Sequence, residues 1–372
     1  MANRTRPPKV VLAAAALWAC GSDVADFAGG PLLGRAEQAF INGDDDRLEY
    51  FELRDSDDQS LMEESIVALV QDTAARQLSR GNVGGVPTWG ELNDLCPDEP
   101  FVNQPAAAFC SGVLVDWDLV LTSGHCVDIY PLNNLRVMFN YYFERPGELA
   151  LTGDDVYRVA EVVVARDDQG RSGERLDFGW LRLANPVRPP HLPAVVRSRA
   201  PEVEVGDAII AINAGGGIPF KFDAGGQVRD LRTGSDDYFV ADTDTSEGSS
   251  GGAAFDTKRV LVGTLARGAP DFIATTAGCV ATDREQNPRF AREQFTYAYR
   301  SVAALCEVDP ERWFCDSSCE TGCAPPAPPA PAPDGSDGCT FAPARVSSSA
   351  AGALSCASVL LAAALRRRRQ QS

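Results

Sequence analysis

TSEGSSGGAAF, residues 245–255, is the stretch on which the reading turns. Two adjacent serines, Ser249 and Ser250, stand among glycines and ahead of small apolar residues. Glycines let a backbone adopt positive φ and turn its N–H groups toward a ligand. The segment is therefore either a flexible turn or a shaped loop that carries a nucleophile. The rest of the chain decides between the two.

Around this loop, β-type segments rich in Val, Ile, Leu and aromatics fill residues 38–308. They are SIVALV (65–70), SGVLV (111–115), LVLTS (119–123), LRVMFNYYF (135–143), VYRVAEVVVAR (156–166), FGWLRL (178–183), DAIIAIN (207–213), DYFVAD (237–242), RVLVGTLARG (259–268) and FTYAYRSV (295–302). Turn residues separate them. Many short strands without alternating helices predict an all-β domain of antiparallel barrels or a sandwich. The early segment INGDDDRLEYFELRDSDDQ (41–59) is acidic and reads as exposed.

The chain has 372 residues and is 44% hydrophobic, enough for one large core with tails. Its net charge is −18 and its pI about 4.6, so it repels phosphate backbones and nucleic acid is not an expected partner. Eleven cysteines suit an oxidising compartment better than a reduced cytosol.

Both ends read as targeting segments. Arg4, Arg6 and Lys9 precede a short apolar run, Val10 to Trp18, which is a signal peptide by charge and length (residues 1–20). LWAC (17–20) resembles a bacterial lipobox, leaving lipidation at Cys20 and plain cleavage nearby as alternatives. Residues 21–37 form a linker. Residues 309–338 combine a cysteine cluster with a Pro/Ala-rich stalk, a semi-rigid spacer. Residues 339–372 run from Cys339 through an apolar stretch to Arg366–Arg369. That order resembles the MYXO-CTERM sorting signal of myxobacterial surface proteins. The resemblance implies export, with Cys339 as the anchor site, against the alternative of a permanent transmembrane anchor.

Two histidines occur in the whole chain. His191, in RPPHLPA between prolines, reads as a surface loop residue. His125 follows an apolar strand in LVLTSGHCV, and Cys110 and Cys126 bracket the hairpin beneath it. A bridge between those two cysteines would pin the loop and stabilise it by about 3 kcal/mol. RLDFGWLRL places Asp177 at the head of an apolar strand, where a carboxylate needs partners and an imidazole N–H is one.

The order is His125, then Asp177, then Ser250. With those motifs in place, residues 38–308 resemble the trypsin-like serine endopeptidases. TSGHC matches that family's histidine motif, DFGWL (177–181) its aspartate motif and GSSGGA (248–253) its serine motif. Details lean toward the bacterial branch that includes glutamyl-endopeptidase-like enzymes, and INGDDDR resembles the start of mature domains there. The resemblance implies two antiparallel β-barrels and a Ser-His-Asp triad of His125, Asp177 and Ser250. It implies an oxyanion hole from the N–H groups of Gly248 and Ser250, and catalysis without a cofactor or metal.

Ser250 is the nucleophile by this match because it alone precedes Gly-Gly. Ser249 replaces an aspartate that in many members pairs with a new N-terminal amine, so burial of an Ile41 amine there is not expected. The same resemblance implies that Asp244 falls at the base of the primary pocket, and Ala266, Arg267 and Gly268 along its wall. Asp244 would favour basic substrate side chains, and Arg267 acidic ones. Cys96 and Cys279 are candidates to pair. Cys306, Cys315, Cys319 and Cys323 could bind metal or form disulfides, and export favours disulfides. The expectation is an exported, surface-attached, monomeric endopeptidase of a Gram-negative bacterium, anchored or released, that acts on proteins or peptides. The alternative is a catalytically inactive homologue that serves as a surface binding module.

Overall fold

The computed structural model describes residues 41–168, 173–199, 203–268, 271–285, 293–316, 319 and 325–328. The signal peptide, Cys20, the linker, Cys323, Cys339 and the C-terminal sorting segment lie outside the described residues. Among the described residues, no helix is long and apolar enough to cross a membrane.

The chain enters through β1 (Ile41–Asn42) and helix α1 (Ser56–Ser65), whose first turn is capped by the Asp55 side chain. β2 (Ile66–Gln71), β3 (Ala108–Asp116), β4 (Leu119–Thr122) and β5 (Leu135–Met138) follow, with α2 (Asp72–Leu78) and α3 (Trp89–Asn93) between β2 and β3. A small hairpin of β6 (Phe143–Arg145) and β7 (Glu148–Leu149) leads to β8 (Val156–Asp167) and β9 (Asp177–Leu183). The strands β2-β3-β4-β9-β8-β5 close into an antiparallel barrel. A second closed antiparallel barrel, β10-β11-β12-β18-β14-β13, is built from β10 (Ala208–Asn213), β11 (Lys221–Asp230), β12 (Tyr238–Ala241), β13 (Ala253–Phe255), β14 (Leu261–Arg267) and β18 (Glu293–Tyr297). β15 (Phe272–Ala274) pairs with β16 (Val280–Thr282), and β17 (Arg284–Glu285) pairs with β1. Helix α4 (Ala298–Val308) closes the domain.

The burial explains the runs. In β2, Val67 and Leu69 point into the first barrel with Leu114, Val120, Val137 and Leu181. Their alternates Ile66, Ala68 and Val70 join a layer shared by both barrels, with Phe178 and Trp180 on one side and Ile212, Phe255 and Leu261 on the other. A strand covered on both faces has no polar alternation, which is why IVALV is continuously apolar. Phe239, Leu265, Phe295 and Tyr297 fill the second barrel.

Four expectations need correction. FTYAYRSV is strand only to Tyr297; Ala298, Val302 and Leu305 recur at helical spacing and are buried, so α4 begins there. LRVMFNYYF stops being strand after Met138, and Asn140 takes φ 54° two residues on. The acidic segment 41–59 is not simply exposed, because Ile41, Arg47, Glu49 and Leu53 are buried. Asp45 pairs with Arg47 through two 2.8 Å hydrogen bonds, which makes that burial possible. His191 is buried too, stacked on Phe139, with its ring nitrogens 3.0 Å from the Glu63 carbonyl and 3.2 Å from Asp155 Oδ1.

Three disulfides join described residues: Cys96–Cys279, Cys110–Cys126 and Cys306–Cys315. The pairing of Cys306 with Cys315 answers the metal-or-disulfide question for those two cysteines.

Candidate active site

His125 sits on a single helical turn, Gly124–Cys126, just past β4. The turn is fixed from three sides. The Ser123 hydroxyl donates to the Leu265 carbonyl of the second barrel (2.5 Å). Cys126 is bridged to β3 through Cys110. Gly124 presses on β8, where a Cβ would lie 2.0 Å from the Arg166 carbonyl oxygen, so no larger residue fits between strand and turn. Cys110, His125 and Cys126 bring ligand-type atoms within 4.8 Å of one another, but both sulfurs are bonded to each other and offer no thiolate.

Asp177 opens β9 and is 1% exposed. Its carboxylate accepts from the Gly124 N–H on Oδ1 (2.6 Å) and from the His125 N–H on the same oxygen (3.2 Å). Oδ2 lies 2.8 Å from His125 Nδ1. The Thr296 hydroxyl donates to the Asp177 carbonyl (2.9 Å), which anchors the strand head to the second barrel. The three contacts to the carboxylate oxygens satisfy a buried charge that would otherwise be costly. They also hold the imidazole with Nδ1 toward the carboxylate.

The loop 246–250 lies within the connection from β12 to β13, at the barrel junction. The Ser249 hydroxyl donates to Asn213 Oδ1 (2.8 Å) and accepts the Ser246 N–H (3.0 Å), while the Gly215 N–H also meets Asn213 Oδ1 (3.0 Å). The Glu247 N–H donates to buried Asp271 (2.6 Å), and the Ser111 hydroxyl donates to the Gly248 carbonyl (3.0 Å). The Ser250 carbonyl accepts the Ser111 N–H (2.7 Å). Gly251 takes φ +79°, and a Cβ there would lie 2.2 Å from the Ser111 carbonyl oxygen, which accounts for the glycine directly after Ser250. Among the described residues, neither the Gly248 N–H nor the Ser250 N–H donates to any group.

Ser250 and His125 are neighbours across the disulfide. A ring nitrogen of His125 lies within 4.8 Å of Cys126 Sγ, which is 3.9 Å from the Ser250 carbonyl oxygen. The described residues contain no hydrogen bond between the Ser250 hydroxyl and the imidazole. Such bonds are often long before substrate binds.

The electrostatics favour a charged imidazole. Burial lowers the His125 pKa, but the hydrogen bond and charge of Asp177, helped by Asp167, outweigh it and hold the pKa above the ordinary 6.5. Arg267 acts in the opposite sense.

The four residues assigned to the substrate pocket are all buried. Asp244 Oδ1 accepts the Asn42 N–H (2.7 Å) and Oδ2 the Asp46 N–H (3.2 Å), so its carboxylate binds the entering segment. Burial and the neighbouring Asp223 push Asp244 up to about 8, and burial pushes Asp223 up to about 7. Arg267 lies against Asp177, with Ala266 and Gly268 on either side of it. The Ile41 N–H donates to the Asp283 carbonyl (3.3 Å) and not to Ser249. Asn213, Ser111, Thr296 and Asp271 escaped the sequence reading because nothing local marks a residue that works through a loop distant in the chain.

Two closed six-stranded antiparallel barrels, with this loop and dyad at their junction, define the trypsin-like serine protease fold. Residues 110–263 match the family described as a trypsin-like peptidase domain, which supports a hydrolase of that kind. No curated protein matches the chain. Among solved structures, the chain is similar to a Glu endopeptidase in complex with MPD (14% identity, 72% of this chain, 97% of that one, TM-score 0.42). It is similar also to Kallikrein-related peptidase 10 (17%, 66% and 96%, TM-score 0.39). A third is an inactive form of Rv3671c from M. tuberculosis H37Rv (17%, 67% and 89%, TM-score 0.37).

Proposed function

We propose that the protein is an active serine endopeptidase that cleaves peptide bonds through an acyl-enzyme. His125 takes the proton of the Ser250 hydroxyl as its oxygen attacks the scissile carbonyl, then returns that proton to the leaving amine. Asp177 keeps the imidazole in the required tautomer and stabilises the imidazolium. The Gly248 and Ser250 N–H groups receive the oxyanion; losing one such donor costs about 2.7–4 kcal/mol of transition-state stabilisation. Water then hydrolyses the acyl-enzyme with His125 again as base. The observation that carries this reading is the 2.8 Å contact of His125 Nδ1 with Asp177, set beside a serine loop whose two N–H groups have no other described partner.

The substrates we propose are proteins or peptides with uncharged side chains at the cleavage site, because the Asp244 carboxylate is already engaged by two backbone N–H groups and the Arg267 guanidinium lies buried against Asp177. We further propose export and surface attachment through residues 1–20 and 339–372. The three disulfides suit that setting. The second reading, an inactive homologue, draws on the missing Ser250–His125 hydrogen bond. A fluorophosphonate probe separates the two. Covalent labelling of the parent, lost in Ser250→Ala, is the expected result; a folded parent that takes no label is the inactive binder.

A further inference from the structure

Arg267 reaches the dyad from the end of β14. Its side chain is 6% exposed, which leaves little of it to meet a substrate. Nη1 donates to the Arg175 carbonyl (2.9 Å). Nη2 stands 3.5 Å from Asp177 Oδ2 and 3.9 Å from Asp167 Oδ1. Nη2 is buried and has no hydrogen-bond partner among the described residues. It therefore faces Asp177 as an ion, on the same oxygen that meets His125 Nδ1.

We propose that Arg267 is a positioning residue of the dyad, whose charge holds the Asp177 carboxylate and competes with the imidazolium for Oδ2, so that His125 stays neutral over a wider pH range than Asp177 alone would allow. The inference rests on His125 serving as the general base. Two cations on one carboxylate oxygen repel each other, and the permanent one prevails because a guanidinium does not deprotonate. The charged groups facing the imidazole are Asp177 on β9, Asp167 on β8 and Arg267 on β14. Arg166, beside the turn on β8, is paired with Asp168 and Glu174. The two carboxylates favour the imidazolium, and Arg267 opposes them. Ala266, the preceding residue, has no side-chain donor to offer Asp177.

The test is an NMR titration of the imidazoles in the full chain carrying Ser250→Ala, where no turnover is needed. With two histidines in the chain, His191 is the internal reference. Arg267→Gln removes the charge yet keeps a donor for the Arg175 carbonyl, and Arg267→Lys keeps the charge. In the Gln variant the His125 midpoint should rise enough to cut the neutral fraction about two-fold at the parent midpoint. The Lys variant should return most of that shift, with His191 unmoved in both. An unmoved or lowered midpoint in the Gln variant overturns the proposal, as does an equal shift in the Lys variant or a matching shift of His191. If the Gln variant does not fold, Arg267→Met takes its place.

In the chain with Ser250 intact, the acid limb of kcat/KM should move up with the midpoint, while the rate ratio on acidic and uncharged peptides stays constant. A changed ratio with an unmoved limb makes Arg267 a substrate contact instead. A shifted midpoint in a chain that never takes the fluorophosphonate probe would leave the Arg267 assignment standing and sink the protease reading.

Discussion

Asp177 is where residue chemistry is most exposed to test, because three N–H groups converge on its two oxygens. Asp177→Asn keeps the shape but replaces one acceptor by a donor. The amide nitrogen must then face either the backbone N–H groups of Gly124 and His125 or the imidazole, and the wrong tautomer is favoured. The expected loss in kcat is about four orders of magnitude with KM little changed, read from steady-state rates on a peptide substrate. Activity above one tenth of the parent's would show that Asp177 does not orient His125. The same scale shows what a sequence conceals. His125 and Asp177 could be named because each stands in a short motif with its own chemical demand. Asp244 and Arg267 could be named too, but spacing carries no side-chain direction. One carboxylate turned out to bind the N–H groups of Asn42 and Asp46, and the guanidinium lies against Asp177.

Among the elements, the serine loop is held by a network of buried side chains, Asn213, Ser111 and Asp271. Asn213 accepts from both the Ser249 hydroxyl and the Gly215 N–H. Asn213→Ala leaves two buried donors without partners, at about 1–3 kcal/mol each. Chemical denaturation should register part of that cost. A larger share should appear as a fall in kcat, because the loop presents the Gly248 and Ser250 N–H groups. A variant with parental kcat would show that this network does not shape the loop. The strands were readable because their cores demand Val, Ile, Leu and aromatics between turn residues. The end of β18 was not, because YAYRSV has the composition of a strand and becomes helix only through what Ala298, Val302 and Leu305 pack against. The burial of Arg47 within an acidic segment was equally hidden, for its partners Asp45 and the Phe101 ring (5.2 Å) give no local sign of enclosing it.

Across the whole molecule, the segment that enters at Ile41 is tied to the second barrel through buried acids. The Asp244 carboxylate receives the Asn42 and Asp46 N–H groups, and Asp223 receives those of Asp244 and Gly225 (both 2.6 Å). Those bonds favour ionised carboxylates, yet burial and the close like charge prevail, and the pair titrates at about 7 and about 8. Both acids hold a proton in the folded chain at pH values where the unfolded chain, near the ordinary 3.8, has lost it. Their contribution to stability is therefore complete below about pH 4 and is lost as pH rises through 7 and 8. Lys221, pushed down to about 8 by burial, begins to act only at the top of that window. Between pH 5 and 6.5 each such proton gives a slope of about −1.4 kcal/mol per pH unit. Asp223→Asn removes one titrating group and the charge that raises the other. Unfolding free energies from urea denaturation across that window should then decline less steeply, by at least about 1 kcal/mol per pH unit. An unchanged slope would mean that the two acids are ionised in the folded protein and that the entering segment is held by their charge.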